Sequence, residues 1–265
     1  MVHVTSNGGV KKDYYALMDV AATAGMLMLE ANAECYRVED TMRYILATSD
    51  LAITEANATV RAITLMLDDD DPDFKPITVM RTIKDKDTDL NRIYKVNHIS
   101  RQVYLQKITL EEAKEQLARV GTNDYSPITL TVMNILKVPA YVLILGGGVA
   151  EFLIGFVIGI FVEWFSGFRD RWGMNAFLYR LVITSIIAFT LTLALIEREE
   201  IKQAIIITAT LIPLYPGVSF TNGIRDTLKG DYTSGTARIV DAFVTAFSLA
   251  IGVIMGLFLA GMVVA

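Results

Sequence analysis

Apolar residues recur at helical spacing from Tyr14 to Glu30, where Leu17, Val20, Ala21, Ala24 and Met28 fall on one stripe behind the N-cap candidate Asp13. The same spacing runs through Val38, Met42, Ile45 and Leu46 after a short connection at 31–35, which predicts a helical hairpin. The period then changes. The β-rich runs 57–67 and 76–83 flank the acidic turn 68–75, whose Pro72 and aspartates favour chain reversal, and they predict two strands of a small sheet. Leu90, Ile93, Tyr94, Val96 and Val103 restore the helical period. Thr109 and Glu112 form a capping box ahead of a last helix, with Gly121 near its end. Residues 1–126 therefore read as a small α+β domain, expected in the cytoplasm.

Beyond a boundary at 121–127 the pattern becomes almost continuously apolar, and residues 127–265 read as an α-helical polytopic membrane domain of about five spans. These are 128–145, 149–164, 176–196, 201–215 and 239–265, several of them short for an upright crossing. Lys137 and Pro139 sit near the middle of the first, which points to a place inside the bundle. Basic residues at Arg169, Arg171, Arg225, Lys229 and Arg238 outweigh Arg198 and Lys202 on the opposite side, so the N-terminus is predicted inside and the C-terminus outside. Gly155 with Gly159, and Gly252 with Gly256, are spaced for close helix packing.

Composition agrees with this division. The chain is 53% apolar yet 20% charged, with nearly all the charge runs before about residue 125. A net charge of −5 argues against nucleic acid as a partner, because phosphate binding needs clustered, unopposed Lys and Arg. The single cysteine, Cys35, fits a reducing compartment and reads as a buried thiol. The first residues carry no charged segment followed by an apolar run, so no cleavable signal peptide is expected.

Ionisable groups within apolar spans are the candidate chemistry. Glu163, Arg180 and Arg238 lie near span ends and read as anchors, whereas Glu151 and Asp241 are candidates for a solute or proton pathway. Pro213, Pro216 and Gly217 interrupt the fourth span, which reads either as an unwound segment lining a cavity at membrane depth or as a proline-kinked helix that turns at the cytoplasmic face. Ser219, Thr221 and Asn222 then offer neutral hydrogen-bonding groups, with Arg225 and Asp226 beyond, a set suited to a small zwitterionic or anionic solute. The run Asp68 to Asp71 lacks the alternation and glycine of a calcium loop. His98 has no nucleophile or second histidine at a recognisable spacing, and no phosphate-binding loop is present. No cofactor or metal is expected.

The run PGVSFTNGIRDTLKGDYTSGTARIVDAF, with YRVEDTMRYIL and DLNRIYKVNHISRQV, resembles the threonine/serine exporter family over nearly the whole chain from about Tyr14. The resemblance places the family's motif on Pro216, Gly217, Asn222, Arg225, Asp226, Gly230, Ser234, Gly235 and Arg238, with Glu151 at an acidic position after a glycine pair. It implies a membrane exporter of threonine, serine or a dicarboxylate rather than an enzyme. A second small membrane subunit or a homo-oligomer is the partner it implies. The rival readings are a membrane-tethered hydrolase and a regulatory module in the N-terminal domain.

Overall fold

A computed structural model describes residues 13–83, 86–120, 125–198 and 200–264. The start of the chain and most of the expected boundary, 121–124, lie outside the described residues, as do Gly121 and Ala265. The described chain is mostly helical with a small three-stranded sheet near the N-terminus, and it divides into two compact units. One holds the described residues up to 120 together with 218–239; the other holds 125–217 and 240–264.

The first, α+β unit begins with α1 (Tyr14–Glu30) and α2 (Cys35–Leu46). Asp13 accepts a hydrogen bond from the Ala16 N–H at 3.0 Å and so caps α1. Asn32 ends the helix in the left-handed conformation (φ 61°), with the Ala33 N–H donating to Met28 O and the Asn32 N–H to Leu29 O. That is the Schellman pattern, with asparagine in the place glycine usually takes. Gly25 lets α1 approach α2, because a Cβ there would meet Met42 and Ile63.

The sheet has three strands where two were expected: β1 (Ile53–Ala58), β2 (Ala62–Asp68) and β3 (Ile77–Thr82), antiparallel in that order. The first β-rich run folds back on itself, because Thr59 and Ala62 exchange hydrogen bonds and pair Ala58 with Ile63. The buried side chains of β1 are Ala56 and Ala58, small residues that carry little hydrophobic signal. They join Ile63, Leu65 and Leu67 in one core with α1, α2, α3 (Leu90–Tyr104) and α4 (Leu110–Val120). The capping box before α4 forms as expected, with Glu112 accepting from the Thr109 N–H at 2.8 Å and Thr109 from the Glu112 N–H at 3.2 Å.

The second, helical unit contains α5 (Pro127–Ile144), α6 (Val149–Trp172), α7 (Ala176–Ala194), α8 (Gln203–Leu211) and most of α10 (Tyr232–Val264). Four helices here are long and apolar enough to cross a membrane, and a fifth crossing exists if α8, its following turn and α9 (Gly217–Leu228) count as one broken span. Gly155 and Gly159 let α6 approach the backbone of α5 at Pro139 and Ile135, and Gly252 and Gly256 let α10 approach α7 at Leu181 and Ser185. The helix α5 is not enclosed: only 17% of its span is buried, and Lys137 is exposed with its ammonium donating to Asn134 at 2.7 Å. It packs through a single stripe, Val138, Pro139 and Val142, which leaves the lysine on the open side.

The break after α8 is shorter than the sequence suggests. A 3-10 turn covers Ile212–Leu214, Tyr215 is extended, and helix resumes at Gly217. The segment expected to unwind is therefore helical, because only Pro213 and Pro216 lack the backbone N–H a helix needs. The last helix, at 33 residues, starts before the span predicted for it.

Candidate functional site

The helices α9 and α10 meet at a turn whose chemistry accounts for most of the motif. Gly230 (φ 94°) takes the left-handed position that ends α9, with the Asp231 N–H donating to Asp226 O and the Gly230 N–H to Thr227 O. Asp231 then caps α10 by accepting from the Ser234 N–H at 2.9 Å. One turn further, Gly235 lies so close to Thr227 and Gly223 that a Cβ would meet backbone atoms of both. This contact brings Arg238, on the next turn of α10, up against Asp226 on α9.

Arg238 and Asp226 are 1% and 0% exposed as side chains, and their Nε and Oδ2 atoms lie 3.1 Å apart. Neither atom makes a hydrogen bond, so this is a charge contact while the rest of each side chain reaches to the turn between α1 and α2. The Arg238 guanidinium donates to Asn32 Oδ1 and Ala33 O, each at 2.7 Å, and to Cys35 Sγ at 3.7 Å. Asp226 Oδ1 accepts the Cys35 N–H at 3.0 Å, and so caps a helix start that Glu34 leaves uncapped. Asn222 donates to Asn32 O at 2.8 Å, and Arg225 donates to Glu34 Oε1 at 2.6 Å. At the rim Lys229 stands over the Tyr36 ring.

The electrostatics follow from this geometry. Burial pushes the Glu34 carboxyl up, but its own backbone N–H and the neighbouring Arg225 and Arg37 outweigh burial and hold it below the usual carboxylate value. Burial raises the Cys35 thiol, and the Arg238 charge only partly opposes it.

The structure thus joins Asn222, Arg225, Asp226, Gly230, Ser234, Gly235 and Arg238 in one network, and corrects the reading of Arg238 as an anchor at a span end. A charged head that snorkels reaches water; this one is held by three acceptors and a carboxylate out of water. Ser219 and Thr221 also lie on α9, half-buried and exposed, and Pro216 and Gly217 mark the break before it. Glu151 and Asp241 are not in the network and belong to the helical unit. Glu151 accepts from the Gly148 N–H at 2.8 Å and the Lys202 N–H at 3.0 Å, tying together the starts of α6 and α8. Asp241 is exposed, and Arg180 donates to Thr245 at 3.4 Å.

Sequence reasoning missed the partners at 32–35. Hydrophobic periodicity is silent in a connection, and the available signal was an Asn-Ala-Glu sequence too polar for the 0–5% exposure it has. His98 is bonded to Gln102 Nε2 at 3.0 Å, and Asp68, Asp69 and Asp71 accept from neighbouring backbone N–H groups. Among the described residues no group of three or more His, Cys, Asp or Glu side chains could hold a metal ion.

Comparison with known proteins gives consistent matches. The ThrE profile, describing threonine/serine exporters, covers residues 19–260. A threonine/serine exporter of Corynebacterium glutamicum is 30% identical over 248 residues, covering 91% of this chain and 50% of that protein. An uncharacterised protein of Schizosaccharomyces pombe is 23% identical over 179 residues, 64% of this chain and 21% of its own length. The chain therefore spans half the length or less of these curated relatives. No solved structure matches it.

Proposed function

This chain belongs to the threonine/serine exporter family, and from that premise we propose that it exports small metabolites, threonine- or serine-type amino acids or dicarboxylates, across the cell membrane. Family membership carries the reading, and the long apolar helices of a multi-pass membrane protein are its setting. The N-terminus and the α+β unit face the cytoplasm, with five spans once the broken one is counted. Transport is secondary, driven by an ion gradient.

Ser219 and Thr221, following the break at Pro216 and Gly217, supply hydroxyls to the solute path. Asn222 and Asp226 on the buried side of α9, with the exposed Arg225 beside them, hold the helix in register, an assignment supported by their bonds to the α1–α2 turn. Asp241 is the stronger candidate for carrying a coupled proton, since both carboxylate oxygens of Glu151 are already taken by backbone N–H groups. A second small membrane subunit, or another copy of this chain, covers α5. The exposed Lys137 supports this, because a charge facing hydrocarbon at mid-span is costly.

The test is efflux of preloaded labelled threonine, serine and succinate from proteoliposomes under an imposed pH gradient, with Asp241→Asn alongside. Gradient-dependent efflux of any of the three, lost in the variant, is expected. Efflux no faster than from protein-free vesicles, for every substrate and with α5 covered by co-reconstituted native membrane protein, would sink the exporter reading.

A further inference from the structure

The end of α6 carries surface chemistry that the export reading does not use. Trp164, Phe168 and Trp172 follow one another at four-residue spacing, and successive rings meet edge to face with centroids 4.7 and 5.6 Å apart. Both tryptophans of the chain stand in this row, and both are more than half exposed. Arg171, two turns beyond Trp164, falls on the same face by the helical period. Ile158 and Val162 pack in the core of the helical unit from a different face.

Position along the helix gives the row its meaning. The apolar stretch of α6 that is long enough to cross a membrane runs from Val149 to Arg169, so Trp164 stands inside it while Arg171 and Trp172 stand past its end. From Trp164 to Trp172 the helix rises about 12 Å. The polar zone of one leaflet is roughly 5–7 Å thick, so the row is long enough to pass through it from the edge of the hydrocarbon. Indole rings favour that zone, which satisfies an apolar face and a polar N–H together. The two arginines at this end differ. Arg169 stands 5.8 Å over the Tyr179 ring of α7. Arg171 is exposed, and among the described residues nothing takes its guanidinium. At the level where the apolar stretch ends, a free guanidinium meets lipid phosphates, which it binds by paired, charge-assisted hydrogen bonds.

We propose that this face of α6 binds an anionic phospholipid, with Arg171 on the headgroup phosphate and the row of rings along the glycerol and the upper acyl chain. The passage from ring to charge along one helix face follows the passage from hydrocarbon to headgroup, a gradation that a protein partner does not require. Zwitterionic lipids carry a cation of their own beside the phosphate, so net charge sets the preference. The inference rests on α6 crossing the bilayer and adds a headgroup preference assigned to one residue.

Tryptophan quenching in lipid nanodiscs tests it with the full-length Trp172→Phe chain, which keeps a ring at that position and leaves Trp164 as the sole tryptophan. The quenchers are phosphatidylglycerol and phosphatidylcholine, each dibrominated near the glycerol end of one acyl chain and diluted into unbrominated phosphatidylcholine. The anionic lipid is expected to reach half-maximal quenching at about one-fifth of the mole fraction that the neutral one needs. Arg171→Gln should make the two equal, and Arg171→Lys should keep part of the difference. Excess glycerol phosphate should change nothing, since a soluble anion has no acyl chain to lie on the rings. Arg171 is exposed, and unchanged thermal melts confirm that the variants fold. Equal quenching by the two lipids when Arg171 is present, or a preference that survives Arg171→Gln, overturns the proposal and leaves the crossing intact. A preference abolished by glycerol phosphate overturns it in favour of a soluble anion. No quenching by either lipid overturns it together with the reading of α6 as a span.

Discussion

The two units satisfy their buried polar groups by opposite means. In the α+β unit a buried guanidinium and carboxylate reach across roughly 190 to 206 positions of sequence to the α1–α2 turn. In the helical unit several polar side chains turn to backbone groups: Thr184, Thr192 and Thr210 each donate to a carbonyl four residues back, and Glu151 takes up the N–H groups at two helix starts. Among the described residues that unit has no buried ion pair. Hydrocarbon offers no hydrogen bonds, so local satisfaction is the safest solution for helices meant to lie in it. The long-range pair of the α+β unit favours uniqueness instead, because a charge pair fits only one arrangement of the helices that bring it together.

The sharpest way to break this contrast is to remove half of the pair. Arg238→Met leaves Asp226 charged and buried, and should cost the α+β unit about 3–5 kcal/mol in denaturant unfolding. The double variant Arg238→Met, Asp226→Leu should recover most of that loss, since well-packed apolar replacements of a buried pair are often neutral. A single variant as stable as wild type would mean the pair is incidental. Next come the helix contacts. Gly235→Ala drives a Cβ into the backbone at Thr227 and Gly223, and Gly252→Ala does the same at Leu181, so each should cost about 1–3 kcal/mol despite the difference in surroundings. Gly217→Ala, with nothing within 4 Å of the added carbon, is the control.

Glu151→Ala should act locally, seen as faster amide exchange at Gly148 and Lys202 with little change elsewhere. The smallest effect is on pH dependence. Glu34 has a lowered folded value, so its contribution is present above the usual 4.5 and is lost as pH falls through that lower value. Burial raises Glu39 against the hydrogen bond from the Ala58 N–H, so its ionised form weakens the fold and acid relieves the penalty. Urea titrations from neutral to acid pH should show Glu34→Gln converging on wild type below about pH 4.5, and Glu39→Gln diverging from wild type least where Glu39 is protonated.

How far the sequence could be read depended on how local the cause was. The caps at Asp13 and Thr109, the amphipathic stripes and the glycine pairs are all set within a turn or two of chain, and each was legible. The hairpin at 58–62 was not, because alanines face its core. The fate of 217–228 was misread because prolines mark where helix stops and say nothing about where it restarts. The candidate site was half visible. Its α9 and α10 residues stand in one run of sequence, while Asn32, Ala33 and Cys35 became partners only through tertiary structure.

The burial of Cys35 has a practical consequence. It is the chain's single thiol, it is 0% exposed, and burial opposes its ionisation, so the folded protein is expected to react slowly with alkylating reagents. Any cysteine placed elsewhere is then the sole labelling target. An impermeant maleimide applied to intact cells and to inverted vesicles can report, position by position along α5 and α10, from which side of the bilayer each residue is reached.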